Sequence, residues 1–488
     1  MPTKTLPEYE RDCQNAASPA EKRRLALEAR DALIQTSAPA TITEEVLRQF
    51  NQESANSGPA APLPDGNLQI TNDADGAQLE ARLTDFFPAI FALEQSGGEA
   101  LLNRARIVCE QVDAYRQHNY WLPLFDYLNN ATAASWQKWR FAVIAQKNAR
   151  IEIGNGDFVR AGWFTILGLQ NLVSFSTTPA TILDYRLYLD LCGRLQNVIA
   201  EGRACLHVGA ELGKWIIEES HRVKHYLRAV GVGLNLGNQH LFAGKNHDAI
   251  SILEAAQATC NTQWTIRDMD YFQVNLLERL ARAYINRGQS ADLVAAAAYL
   301  ENFGALAQRS REKTLYQMGK GYLALQAGDY PNAEASFYSA LEYARGQHPN
   351  GAPNDFTNMW SAFMSLVLLG LKRNMPAQAL NYLEEARKHG DKLLEFLNAG
   401  KKCYACLLAA EAHVQLNDRT AAWAALSQAQ GFASGLGSPR RQIQLLFIEA
   451  LLIDPPDNDT KYQQALQLAR QNGFNNSDDG LVRLAIFS

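Results

Sequence analysis

The chain has 488 residues, of which 47% are apolar and 20% charged, and its formal net charge is −5 at neutral pH. That length is too great for a single hydrophobic core and requires several domains or an elongated array that adds core repeat by repeat. The acidic balance argues against nonspecific nucleic-acid binding, which needs a basic surface to displace counterions.

In chain order, residues 1–17 read as poorly ordered. Ser18-Pro19-Ala20-Glu21 is a helix start: Ser18 caps, Pro19 fits the first turn and Glu21 can close the capping box. That helix runs to about Gln35. Thr41-Ile42-Thr43-Glu44 offers a second capping box, leading into Val46, Leu47 and Phe50. Residues 1–51 thus form an N-terminal helical segment. Residues 52–78 are rich in Pro, Gly, Ser, Asn and Asp and read as a flexible linker, the clearest boundary in the chain.

From about Gln78 the pattern is helical almost without break. Helices are expected near 78–95, 98–117, 120–130, 134–152, 157–174, 180–201, 204–218 and 220–242. Trp121, Trp136, Trp139, Trp163 and Trp215 fall at helical spacing in this half, where large rings read as packing residues. Residues 79–225 are expected to form degenerate helical repeats, and 226–472 sharper ones. Residues 473–488 end in an apolar tail, LVRLAIFS, expected to cap the last repeat.

The sharpest unit runs from Thr314 to Gly346. Gly321 and Ala324 lie on its first helix, Gly328-Asp329-Tyr330-Pro331 makes the turn, and Ala333, Phe337, Ala340 and Leu341 lie on the second. Small residues at these places let two antiparallel helices touch. Leu236, Gly237, Gly244, Ala249, Leu253 and Ala256 repeat the pattern upstream, and weaker copies lie at 272–290 with an Ala-rich second helix after it, at 376–390, at 402–431 and, as a last pair, at 439–453 and 458–472.

This pattern resembles the tetratricopeptide repeat. The equivalent positions Gly237, Ala281, Gly321, Val367 and Ala410 are 44, 40, 46 and 43 residues apart, however, against a usual 34. In that respect the chain is similar to the long-repeat arrays of bacterial signalling regulators, the maltose-regulator ATPases and the peptide-sensing regulators. The resemblance implies an all-α fold, a right-handed α-solenoid of antiparallel helix pairs. The DNA-binding and nucleotide-binding modules of those regulators are absent, and no phosphate loop of the G-x-x-x-x-G-K-[ST] kind occurs.

The resemblance also implies a ligand groove lined by first helices. The residues it assigns there are Asn238, Phe242, Arg279, Arg282, Asn286, Tyr322 and Gln326, with Glu278 beside them. Asn, Arg and Tyr can bond a peptide backbone or carboxylate. The clamp that chaperone-binding members use is not reproduced: Asn238 matches, but Leu234, Arg279, Leu315 and Gly319 replace the other four residues.

Catalytic signals are weak. Cys403-Tyr404-Ala405-Cys406 lacks the second pair that a zinc site needs and lies inside a helical run, so it reads as packing. Seven irregularly spaced cysteines do not suggest a disulfide scaffold. Glu218, His221 and His225 sit three and four apart and could share a helix face, which keeps a metal-dependent hydrolase open. No secretory h-region and no bilayer-length apolar run are found, so a cytoplasmic location without a membrane span is expected. The leading expectation is a noncatalytic scaffold binding a protein or peptide partner, with no cofactor. The alternative is a ligand- or peptide-responsive signalling regulator. The oligomeric state is left open.

Overall fold

The structure is a computed structural model. It describes residues 4–55, 70–72, 75–76, 78–79, 82–83, 99–116, 121–130, 133–155, 157–172, 182–202, 205–242, 245–263, 269–288, 290–346, 356–388, 399–434, 439–453 and 457–471. Among these residues there are helices and turns but no strand, and the fold is an all-α solenoid of helix pairs. The chain divides into two compact units. One comprises residues 1–233 and 259–270, the other 234–258 and 271–488.

The first unit opens with α1 (Leu6–Asn15), α2 (Pro19–Ile34) and α3 (Ala40–Ala55). It continues with α4 (Glu99–Arg116), α5 (Trp121–Asn130), α6 (Ala133–Asn155), α7 (Phe158–Leu172) and α8 (Ile182–Asn197). A π-helical turn at Val198–Gly202 leads to α9 (Leu206–Arg222) and the start of α10 (Tyr226–Phe242). Tyr9, Cys13, Leu25, Ala26 and Ala29 are buried in the same core as Leu169, Leu191, Leu195, Leu212 and Ile216. Helices α1 and α2 are therefore part of this core, while Ile42 and Val46 of α3 pack in a separate cluster with Phe141, Ile144 and Phe164.

The N-terminus corrects the sequence reading. Residues 6–15 are helical, because Thr5 and Glu8 form a capping box and Tyr9 and Cys13 find a core. Glu10 adds a long-range reason. Its carboxylate accepts from the backbone N–H groups of His207 and Val208, both at 2.8 Å, and so caps α9. Arg23 holds Glu218 of α9 by donating from both terminal guanidinium nitrogens, Nη1 and Nη2. Ser18 caps α2 as expected, its Oγ accepting from Glu21 N at 3.2 Å. The second expected capping box is not one: α3 begins at Ala40, with Pro39 O accepting from Ile42 N and Thr43 N, so Thr41 is already helical. The same helix runs to Ala55, into the stretch read as linker. Most of that stretch, and the tail 473–488, lie outside the described residues.

The second unit takes the rest of α10, then α11 (Asn246–Thr262) as far as Ala258 and α12 (Met269–Arg287) from Tyr271, followed by α13 (Ser290–Leu306), α14 (Ser310–Gln326) and α15 (Tyr330–Arg345). It ends with α16 (Phe356–Lys372), α17 (Pro376–Lys388), α18 (Ala399–Gln415), α19 (Arg419–Ala433), α20 (Pro439–Leu452) and α21 (Asp457–Gln471). One core runs through α12 to α18, from Leu277 through Phe303, Phe337 and Val367 to Ala412. Burying each such large side chain contributes roughly 1.5–3 kcal/mol against leaving it in water.

The turns keep the register of the small residues. The first helices end on residues in the left-handed region, Gly288, Gly328, Asn374 and Asn417, which are 40, 46 and 43 residues apart. At three of these turns the next residue reaches back one turn and a half. Asp329 N donates to Ala324 O, Met375 N to Gly370 O and Asp418 N to His413 O, at 2.8–2.9 Å. Such caps satisfy carbonyls that a helix end leaves open. Asp329 and Asp418 then turn their carboxylates to cap α15 and α19.

Candidate binding groove

Glu278 lies at the centre of the polar face of α12. It is 7% exposed, and its two carboxylate oxygens pair with Arg279 and Arg282, each at 2.6 Å. Burial alone would raise the Glu278 pKa, but the two guanidinium groups hold it below the usual carboxylate range. Arg279 is pushed down to about 10 by burial, which Glu278 offsets only in part while Arg282 and Arg311 add repulsion. Arg279 is still protonated at neutral pH. One buried carboxylate is thus paired with two arginines, and Arg311 adds to the positive field around it.

Amides flank this cluster. Asn238 stands one repeat before Arg282 in the register, 44 residues earlier. It is half-buried, and its side-chain oxygen is buried with no hydrogen-bond donor among the described residues. Asn286 is half-buried at the end of α12. Phe242 closes α10, but its side chain lies outside the described residues.

Two of the residues assigned to the groove are structural. Tyr322 occupies the register position of Arg282 on the next first helix, yet it is 3% exposed. Its ring packs edge-on against Phe337, centroids 5.0 Å apart, and its hydroxyl bonds Ser365 on α16. The reason is α16 itself, FTNMWSAFMSLVLLGLK, which is buried on every face from Met359 to Leu371 apart from Ser361. A polar groove does not continue past Tyr322. Gln326 is tied down as well: its Nε2 donates to Ile285 O at 3.4 Å, across to the end of α12. Arg279, Arg282, Asn238 and Asn286 remain.

The histidine set does not converge. Lys224 has a φ of 54°, which ends α9 and turns the chain before α10. Glu218 is held by Arg23, His221 is exposed and packs edge-on against Tyr226, and His225 Nε2 lies 3.0 Å from Asp190. Nowhere among the described residues do three or more His, Cys, Asp or Glu side chains gather as metal ligands would. Cys403 is fully buried and Cys406 bonds Gln428 Oε1 at 3.8 Å. Burial raises both thiols, the opposite of what a nucleophile needs. Trp121, Trp139, Trp163 and Trp215 pack as expected, with the Arg30 guanidinium stacked 4.8 Å over Trp215; the side chain of Trp136 lies outside the described residues.

No helix among the described residues is long and apolar enough to cross a membrane. No protein-family model matches the chain, and no curated protein matches it. Among solved structures, one match is the apo form of the quorum sensor NprR from B. thuringiensis. It is 12% identical, the match covers 80% of this chain and 99% of that one, and the TM-score is 0.45. A likeness at that score carries no inference about what this chain binds.

Proposed function

We propose that the chain is a noncatalytic interaction protein whose second unit holds an extended, acidic protein or peptide segment across α10 and α12. The observation that carries this reading is the Glu278–Arg279–Arg282 cluster. One buried carboxylate fixes two guanidinium groups, with Arg311 near enough to add to their positive field, and such a fixed cationic face suits an anionic segment. The unfilled side-chain oxygen of Asn238, one repeat away, suits a peptide N–H. An extended segment presents both groups, alternating backbone amides with carboxylates.

The reading is tested by quantitative affinity isolation with the full chain and with Arg282→Gln, which keeps a polar group but removes the charge. Losing one fully desolvated charge pair at an interface costs about 2–5 kcal/mol, so a true partner is depleted at least about tenfold. Equal recovery of every captured protein by the folded variant would remove the reading. Arg309→Gln is the control, since that side chain is largely exposed and pairs only at 3.8 Å with Glu312.

A further inference from the structure

The polar face of α12 extends beyond its charged cluster. Tyr271, Asn275, Glu278, Arg282 and Asn286 recur every three or four residues and so lie on one face of the helix. At the N-terminal end that face finishes on Tyr271, which is 52% exposed. Asn275, one turn on, donates its Nδ2–H to the Tyr271 carbonyl at 2.7 Å. The same face therefore offers a large open ring at one end and the guanidinium pair fixed by Glu278 further along.

Folding does not account for an open ring at this place. The other tyrosine of α12, Tyr284, stacks on Tyr299 with centroids 5.6 Å apart, and its hydroxyl donates to Glu254. Tyr271 lies outside the core that runs through α12 to α18 and meets Phe272, its chain neighbour, edge-on at 5.4 Å. The other exposed rings of the second unit, Tyr338, Tyr343, Trp423 and Phe432, lie on α15 and α19, the second helices of their pairs. Among the described residues Tyr271 is the one exposed ring on a first helix, the kind that carries Arg279 and Arg282. Tyr and Arg are among the residues most enriched where binding energy concentrates, and a tyrosine ring supplies contact area at small entropic cost.

Tyr271 and Arg282 are eleven residues apart in sequence, about 16 Å along the helix axis. An extended chain covers about 3.3 Å per residue, so about five of its residues bridge that distance. We propose that Tyr271 determines specificity at this face: the acidic segment carries a large apolar or aromatic side chain that packs on the Tyr271 ring, about five residues from the carboxylate that meets Arg279 and Arg282. After crossing to Arg282 the segment follows α12 toward its N-terminus. Tyr271 takes this role only if the α12 face is the binding site proposed above, and it adds a requirement that charge alone does not impose. An acidic segment without the apolar residue is held weakly.

The test selects binders from a displayed library of random peptides on the full chain, with counter-selection on Arg282→Gln. The expected peptides carry Asp or Glu and, about five positions away, Phe, Tyr, Trp or Leu. Fluorescence anisotropy of one such peptide then forms a double-mutant cycle, Tyr271→Ala against replacement of the peptide's apolar residue by alanine. Tyr271→Ala is expected to weaken the parent peptide about fivefold or more, whereas Tyr271→Phe retains its affinity. The alanine-substituted peptide binds wild type and Tyr271→Ala equally. Tyr271 is exposed, so neither substitution disturbs a core. Peptides that require Arg282 but bind Tyr271→Ala as tightly as wild type overturn the role of Tyr271 and leave the binding site standing. The same holds if Tyr271→Ala weakens the alanine-substituted peptide as much as the parent. A library that yields no Arg282-dependent peptide overturns both.

Discussion

Gly321 lies against the ring of Phe337 where α14 meets α15. A Cβ on Gly321 would sit 2.5 Å from Phe337 Cδ1, closer than carbon atoms approach. Phe337 is fully buried and its ring also braces Tyr322, so it has nowhere to move. Gly237 stands in the same relation to Leu253 two array positions earlier, with a Cβ 2.5 Å from Leu253 Cγ.

Gly321→Ala is therefore expected to destabilise the second unit by about 1–3 kcal/mol, the cost of overpacking, despite the roughly 1 kcal/mol that alanine adds to a helix. Gly431→Ala is the matched control. That glycine also lies in a helix, but a Cβ there meets nothing within 4 Å. It is expected to stabilise by about 0.5–1 kcal/mol. Chemical denaturation of the two variants checks the opposite signs.

Lys224 ends α9 in the left-handed region with a φ of 54°, a place where the other turns of this kind use glycine or asparagine. A side chain there carries about 1 kcal/mol of strain. Lys224 is exposed, and its backbone N–H and carbonyl make the contacts that define the turn. Lys224→Gly is expected to raise stability by about 0.5–1 kcal/mol, less the entropy glycine restores to the unfolded chain. Thermal melting of the variant shows whether the midpoint rises.

Asp190 is the pH-sensitive member of its cluster with Arg228 and His225. Burial works to raise its pKa, but Arg228 and His225 overcome that and hold it well below the usual carboxylate range. Its folded value is lower than its unfolded value near 4, so its stabilisation is fully present above about pH 5 and fades as the pH falls below 4. Asp190→Asn is expected to cost about 3 kcal/mol at neutral pH by leaving Arg228 without its anion. It should also flatten the fall in stability between pH 5 and pH 2. Denaturation midpoints across that range, for both proteins, give the comparison.

The array was legible because two independent signals agree. Small residues at Gly237, Gly321 and Ala410 and turn residues at Gly288, Gly328 and Asn417 keep one register. The failures have local causes. Helix α1 is short and polar, and its stability comes from Glu10 and Cys13 meeting elements nearly two hundred residues away. His225 left the face of Glu218 because Lys224 turns left-handed, which no propensity of lysine announces. Tyr322 shares a register position with Arg282, and an amphipathic residue suits a groove or a core equally. The apolar run of α16, carrying Ser365 where the hydroxyl needs it, was the signal that separated the two.

The charge on α12 carries the proposed function. Glu278 organises Arg279 and Arg282 as a fixed donor pair, and Tyr322 closes the polar face on the side of α14. The proposed occupant is an anionic, extended segment bound between Asn238 and Arg282. The most direct measurement is affinity isolation with wild type and Arg282→Gln, followed by cross-linking mass spectrometry of any partner that the variant loses. The account predicts at least one such partner, depleted about tenfold or more, with cross-links from an acidic segment to the neighbourhood of residues 238–282. Partners retained equally by the folded variant, or cross-linked only elsewhere, would contradict it.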